Sequence, residues 1–304
     1  MKIVFMGSPA FAAPALEKLL ASEHTVITTL SQPPRKSGRG MKEQKTPIHK
    51  LAEENGVPVL TPEKLGPEAQ AHIKEIRPDL IAVAAYGLLL PQEVLDVAPC
   101  LNIHPSALPR WRGAAPLNWT IMAGDKTTEV CVMQMVKALD AGAVYARRPL
   151  ELAPDETAGT LHDKAANVGA ELLLEVVNNW DNYKGRAEPQ HEDGVTYANK
   201  IEKPHRKTDF TRTSDEVANH INGLSPFPAA TAELDDTAFK LLLAEAVAGN
   251  GTPGEVLHAD QTQGLVVACG SGAVRLKKLQ KHGKPPMEDT AFLRGNPTER
   301  GQFS

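Results

Sequence analysis

Residues 80–85, Leu-Ile-Ala-Val-Ala-Ala, run for six positions without a polar side chain. A strand of that composition has to be covered on both faces. Helices supply such cover when they alternate with strands along a chain, and the alternation is present here. Residues 2–6 and 24–30 read as further apolar strands, while apolar side chains recur at three- and four-residue intervals through 10–20, 47–55 and 67–77. Gly56 ends the second of these helices and Val57-Pro58-Val59-Leu60 is a short extended segment. The pattern predicts an α/β fold with a Rossmann-like parallel sheet, whose ligands lie outside the carboxyl ends of its strands.

The pattern changes further along. Residues 128–135 alternate as a strand, and a helix over 160–180 ends the first unit. Residues 184–201, polar and punctuated by Gly185, Pro189 and Gly194, read as a linker. A helix over 214–222 follows, and then short apolar stretches at 239–244, 254–258, 265–268 and 274–279 are broken by Gly and Asp. That spacing predicts a smaller β-barrel, OB-like in size. The expected organisation is therefore an N-terminal domain over 1–183, a linker over 184–201 and a C-terminal domain over 202–304.

Composition narrows the class. With 304 residues and 41% hydrophobic side chains, the chain has material for two packed domains. Gly7, Pro9, Pro14, Glu17 and Lys18 interrupt the apolar start before it reaches the length of a signal core or membrane span, so a cytoplasmic protein is expected. Cys100, Cys131 and Cys269 are odd in number and widely spaced, which favours neither a disulfide framework nor a zinc site. Gly7-Ser8-Pro9 follows the first strand, but no G-x-G-x-x-G is present and Pro9 lacks the N–H a pyrophosphate cradle needs. Nicotinamide binding is disfavoured. No His and carboxylate set has ligand spacing, so no metal is expected.

The chemistry concentrates in residues 101–116. Asn102 and His104 stand two apart on a strand, so an amide donor and an imidazole face one side together. Pro105 and Pro109 remove backbone donors and fix φ, which takes the chain out of the sheet as an ordered, non-helical loop. Further on, Leu139-Asp140-Ala141-Gly142 has the composition of a turn. Ala85-Tyr86-Gly87-Leu88-Leu89-Leu90-Pro91 is another strand-to-loop passage, in which Gly87 permits close approach and the leucines form an apolar wall.

His104-x-Ser106-x-Leu108-Pro109, running to Gly113 and followed by Asp140-Ala141-Gly142, resembles the folate-dependent formyltransferases and hydrolases that handle 10-formyltetrahydrofolate. The resemblance implies a catalytic trio on Asn102, His104 and Asp140, with 10-formyltetrahydrofolate as formyl donor. It brings Asp140 beside His104, where the carboxylate would orient the imidazole, raise its basicity or accept the amine proton through water. It also implies folate contacts from Ser106, Ala107, Leu108 and Pro109, and a pterin pocket lined by Tyr86, Gly87 and Leu88. Ala107 departs from the family's usual Leu, and is expected to soften the folate-facing wall without touching the chemistry.

A net charge of −4 hides three basic clusters. Arg35, Lys36, Arg39, Lys42, Lys45 and Lys50 face a single acid, Glu43; Lys200, Lys203, Arg206, Lys207 and Arg212 form a second group; Arg275, Lys277, Lys278, Lys281 and Lys284 form a third. Several such clusters in an acidic chain suit one polyanionic partner touched at several places. The segments 32–42, 194–201, 284–287 and 292–295 resemble the branch of the family whose acceptor is the methionine on initiator tRNA. That resemblance implies tRNA contacts from Arg39, Lys36, Lys42, Lys203, Arg206, Lys207, Lys277, Lys278 and Lys281, with Arg39 in the Gly38-Arg39-Gly40 loop foremost. Ser225-Pro226-Phe227-Pro228 departs from the branch's Trp-containing version. No membrane or obligate protein partner is implied. A folate-dependent transferase acting on a small amine, a ribonucleotide or amino sugar, accounts for the loop but leaves the second domain without a purpose. A degenerate RNA-binding module accounts for the charges but needs no trio.

Overall fold

The computed structural model describes residues 1–37, 40–235, 237–296 and 301–304. Its backbone contacts divide into two units: Met1–Arg112, Glu129–Leu150 and Asp163–Thr196 in one, and Gly113–Thr128, Glu151–His162 and Tyr197–Ser304 in the other. Among the described residues, no helix is long and apolar enough to cross a membrane.

The first unit is built on a seven-stranded sheet. Its strands are β1 (Lys2–Gly7), β2 (Thr25–Leu30), β3 (Val59–Leu60), β4 (Leu80–Ala84), β5 (Cys100–His104), β6 (Thr127–Gln134) and β7 (Val144–Glu151), in the spatial order β7-β6-β5-β4-β1-β2-β3. From β3 to β5 all pairings are parallel. The strand reading of residues 80–85 holds through Ala84, every residue of β4 being buried, while Ala85 is exposed and turns to φ 47°. The sheet departs from a purely parallel plan at β6, which runs antiparallel to β5.

Helices flank this sheet where the periodicity predicts them. Pro47–Glu54 starts with Pro at its first position, and the Thr46 hydroxyl accepts the His49 N–H at 3.1 Å. Pro67–Ile76 stops at Arg77, which turns into the left-handed region at φ 50°. The long helix Ala158–Asn178 lies close to the sheet because Gly169 has no side chain. A Cβ there would come within 2.5 Å of Ile103 Cγ2 and 3.2 Å of Val130 Cγ1. Val4, Met6, Leu30, Ile73, Ile81, Val83 and Val94 pack as one apolar cluster on the sheet.

The second unit is antiparallel. Strands β8 (Ala230–Leu234), β9 (Thr237–Val247), β10 (Val256–Asp260), β11 (Gly264–Ala268) and β12 (Ala273–Lys281) follow the order β8-β9-β12-β11-β10. The last residues join its two edges: Glu233 and Ser304 exchange backbone hydrogen bonds, Phe303 N–H donates to Gly254 and Val256 N–H to Gly301. The sheet is thereby closed into a small barrel, as expected, and the closing strand is the carboxyl-terminal segment. Leu241, Leu265, Val267, Val274, Leu276 and Leu279 fill the interior with Phe239, Phe292 and Phe303.

A helix guards the barrel's weakest edge. β8 pairs with β9 only as far as Leu241, and Asn222 of the helix Ser214–Gly223 takes over beyond it. Its amide donates to Ala244 O and accepts from Ala244 N, each at 2.9 Å. Asn222 is 4% exposed, so both Ala244 groups would stay dry and unpaired without it. Asn222→Leu is expected to lower stability by about 2–4 kcal/mol in urea unfolding. A change below about 0.5 kcal/mol would show that the edge is satisfied by other means.

Candidate active site

The site forms where four strands of the parallel sheet end. Ser8, just past β1, donates its hydroxyl to Tyr86 O at 3.2 Å; Gln32, just past β2, donates its side-chain N–H to the same carbonyl at 3.3 Å. Gln32 N–H also reaches Ser8 Oγ at 3.0 Å. Gly7-Ser8-Pro9 is therefore a tie for the loop that leaves β4. In that loop Tyr86 turns inward, 2% exposed, with burial pushing its hydroxyl up to about 12. Gly87 takes φ 83°, Leu88 is half-buried, and Leu89 stands out at 81% exposure. Gly87 and Leu89 thus present open backbone and an apolar side chain at the strand ends.

β5 lies next to β4, with Asn102 opposite Val83. Asn102 is 9% exposed, yet among the described residues no group hydrogen-bonds its side-chain amide. Buried amides are rarely left without partners. An unpaired donor at a strand end is an invitation to a ligand oxygen.

His104, two residues on, is fixed through Nε2. Nε2 faces the Trp111 carbonyl at 3.0 Å, and since a carbonyl only accepts, Nε2 carries the hydrogen. Nδ1 is left facing Asp140 Oδ2 at 3.8 Å. The imidazole is nearly buried and the carboxylate mostly so. Asp140 itself adopts φ 48°, a left-handed conformation that Asp tolerates better than most residues.

The carbonyl that fixes His104 is itself held by a braced loop. Trp111 has φ 62°, unusual for a bulky residue. The Ser106 hydroxyl donates to Arg110 O at 2.7 Å, Cys131 Sγ reaches Ser106 O at 3.2 Å, and Arg147 donates to Leu108 O at 2.7 Å. Thr196 Oγ1 accepts the Trp111 N–H at 2.9 Å. Burial pushes the Cys131 thiol up to about 11, which keeps it protonated and inert beside the site. Ala85, Trp111 and Asp140 are all at positive φ, so strained backbone clusters around this place.

Of the three residues singled out for catalysis, His104 and Asp140 face each other at 3.8 Å, and Asn102 lies two residues before His104 on β5. Of the four loop residues expected against folate, Ala107 and Pro109 are half-buried, Leu108 is 3% exposed, and Ser106 is fully buried with its hydroxyl spent on the loop. Ser106 consequently shapes the wall from behind it. Lys36 and Lys42 stand exposed on a hairpin, Arg35–Ser37 against Lys42–Gln44. Arg39 lies outside the described residues. In the second unit Lys203 and Lys207 are exposed and Arg206 donates to Ala229 O at 3.1 Å. Lys277 pairs with Glu245 at 2.9 Å, Lys278 with Glu288 at 3.9 Å, and Lys281 is half-buried at the end of β12.

Sequence reasoning missed Gln190 and misplaced Arg112. Arg110 and Arg112 read in the sequence as surface charge or as guanidinium groups suited to a phosphate-bearing acceptor, but the Arg112 guanidinium donates twice to Gln190 Oε1, at 3.0 and 2.8 Å. Gln190 lies in the segment expected to be a linker, and its Nε2 donates to both Asp140 O and Gly142 O at 2.8 Å. The polar composition of 184–201 was the only signal, and it points equally to a solvated connector.

An amide and an imidazole on one strand, with a carboxylate facing the imidazole at the carboxyl end of an α/β sheet, are the kinds of group that transfer at a carbonyl uses: a donor for an oxyanion and a carrier for a proton. The chain belongs to the formyl transferase family. Residues 1–177 match the formyl transferase family and residues 200–297 match the formyl transferase C-terminal domain. It is 46% identical to the methionyl-tRNA formyltransferase of Parvibaculum lavamentivorans over 99% of both chains. Two solved structures share the fold. An N-formyltransferase from Helicobacter canadensis, in complex with folinic acid and dTDP-3-aminofucose, superposes with a TM-score of 0.68 at 18% identity, covering 93% of this chain and 100% of that one. HypX from Aquifex aeolicus, in complex with tetrahydrofolic acid, superposes with a TM-score of 0.64 at 20% identity, and there the match covers 96% of this chain but 47% of that one.

Proposed function

We propose that this protein transfers the formyl group of 10-formyltetrahydrofolate to the amino group of methionine on initiator Met-tRNA, and that it works in the cytoplasm. The observation that carries the chemistry is the His104–Asp140 pair at 3.8 Å, with Asn102 two residues before His104 on the same strand and its amide without a partner among the described residues. The full-length likeness to methionyl-tRNA formyltransferases supports the choice of acceptor over a small amine.

Attack of the amine on the formyl carbon places negative charge on the formyl oxygen. Asn102 is the donor for that charge; it starts without a partner, so no protein hydrogen bond is broken when the oxygen arrives. His104 delivers a proton to the oxygen or to the folate nitrogen as the C–N bond breaks, and Asp140 holds the imidazole and balances its charge. The proton lost by the amine leaves through this pair or through water next to it. Gly87, Leu88, Ala107, Leu108 and Pro109 fit a flat apolar ring, with Tyr86 and Ser106 supporting them from beneath.

Residues 1–183 carry the chemistry in this proposal, and 202–304 hold the tRNA, with 184–201 between them. Lys36, Arg39, Lys42, Lys203, Arg206, Lys207, Lys277, Lys278 and Lys281 supply salt-dependent contacts to phosphates. Incubation with 10-formyltetrahydrofolate and charged initiator tRNA is expected to yield formyl-methionine, more slowly as salt rises. Formylation confined to small amines would favour the alternative acceptor, and tRNA binding without turnover would leave an RNA-binding module.

A further inference from the structure

The Asp140 turn is held in place from a distant part of the sequence. The residues before it, Val136, Lys137, Ala138 and Leu139, are exposed. Gln190 provides a clamp. Its Nε2 has two hydrogens, and both are used on carbonyls that bracket the turn, Asp140 O and Gly142 O. Its Oε1 has two lone pairs, and both are used on Arg112. All the amide's capacity is satisfied, and the arrangement permits only one orientation, because a flipped amide would set Nε2 against guanidinium hydrogens and Oε1 against carbonyls.

Close packing adds to the clamp. A Cβ on Gly142 would come within 1.8 Å of Gln134 O, so the turn sits directly against the end of β6. Six residues after Gln190, Thr196 accepts twice: its Oγ1 takes the Trp111 N–H and its carbonyl takes the Arg112 N–H, each at 2.9 Å. Trp111 is the residue whose carbonyl fixes His104 Nε2. One short stretch, Gln190 to Thr196, thus touches the supports of both members of the His104–Asp140 pair.

We propose that Gln190 is a positioning residue: with Arg112 behind it, it sets the approach of the Asp140 carboxylate to His104 Nδ1. The proposal rests on the assignment of His104 and Asp140 to formyl transfer. Displacement of a reacting group by about 1 Å can cost about 10²-fold in rate, and the pair already stands at 3.8 Å, so a freed turn has room to drift. Gln190 touches neither reacting atoms nor substrate in this scheme. Its loss therefore acts on kcat and leaves folate affinity alone.

The test uses the full-length protein with 10-formyltetrahydrofolate and charged initiator tRNA. Gln190→Leu removes all four hydrogen bonds. Gln190→Glu keeps an acceptor for Arg112 but turns a carboxylate oxygen on two carbonyls, so it opens the clamp while keeping side-chain size. Both are expected to lower kcat by about 10- to 100-fold, to leave KM for the folate within about twofold, and to displace the midpoint of the kcat–pH profile, with the melting temperature near that of the parent. Unchanged kcat and an unchanged profile in both variants, alongside an inactive Asp140→Asn control, would overturn the role of Gln190 alone. Parallel losses of melting temperature, kcat and folate affinity would overturn it too, as those mark general loosening. Full activity in Asp140→Asn would instead remove the catalytic assignment beneath the proposal.

Discussion

Replacing His104 with Ala is expected to slow formylation of Met-tRNA by about 10²- to 10⁴-fold, the range lost with a general acid–base group. The imidazole is held by the Trp111 carbonyl on one side and faces the Asp140 carboxylate on the other. An imidazole fixed at Nε2 holds its other nitrogen in a defined orientation, and water entering the emptied space has none. Folate affinity is expected to change little, because the apolar loops after β4 and β5 are supported by Ser8, Gln32, Ser106 and Arg147. Single-turnover formyl transfer, run beside a folate-binding titration, separates the two effects. A rate within about threefold of the parent would remove His104 from the chemistry.

Asn102→Leu is expected to cost about 10²- to 10³-fold in kcat, the loss typical of one oxyanion donor, without any loss of stability. The contrast with Asn222 gives this prediction its force. Asn222 has its amide fully engaged with Ala244, so its removal strands two buried backbone groups. Asn102 has no partner among the described residues and sits at 9% exposure, so folding gains nothing from its polarity. An amide left without a protein partner at the site is open to a ligand oxygen. Urea unfolding should therefore find the Asn102 variant as stable as the parent or more so, while the formylation assay finds it nearly inactive. Lowered stability with retained rate would show that the amide serves the fold.

The parallel half of the sheet was legible because buried parallel strands leave an uninterrupted apolar run, as in β4. Asn102 and His104 were legible for the same kind of reason: strand periodicity puts both on one face, and prolines mark where the strand must end. Asp140 was not readable from spacing. Its turn composition is common, and in sequence its partner lies beyond a loop, a helix and β6, so only the family resemblance placed it.

Three features were out of reach for physical reasons. The antiparallel entry of β6 depends on how the loop and helix after β5 return to the sheet, and apolar alternation looks alike in both directions. Closure of the barrel by Gly301–Ser304 depends on backbone hydrogen bonds, which any side chains can make. Gln190 and Arg112 are polar residues in polar surroundings, and their role comes from exhausting each other's hydrogen-bonding capacity at long range. Ser106 shows the reverse case. The motif marked it correctly as part of the site's loop, but only the coordinates show that its hydroxyl faces into that loop at Arg110 O.

The central claim is that His104 and Asp140 act as one unit on the formyl group, and a double-mutant cycle in single-turnover transfer to Met-tRNA tests it most directly. His104→Ala, Asp140→Asn and the combined protein are each timed under the same salt and pH. Coupled residues predict that the combined protein is no slower than about the slower single variant, because either change alone already disables the pair. Losses that multiply, each residue contributing as though the other were intact, would contradict it.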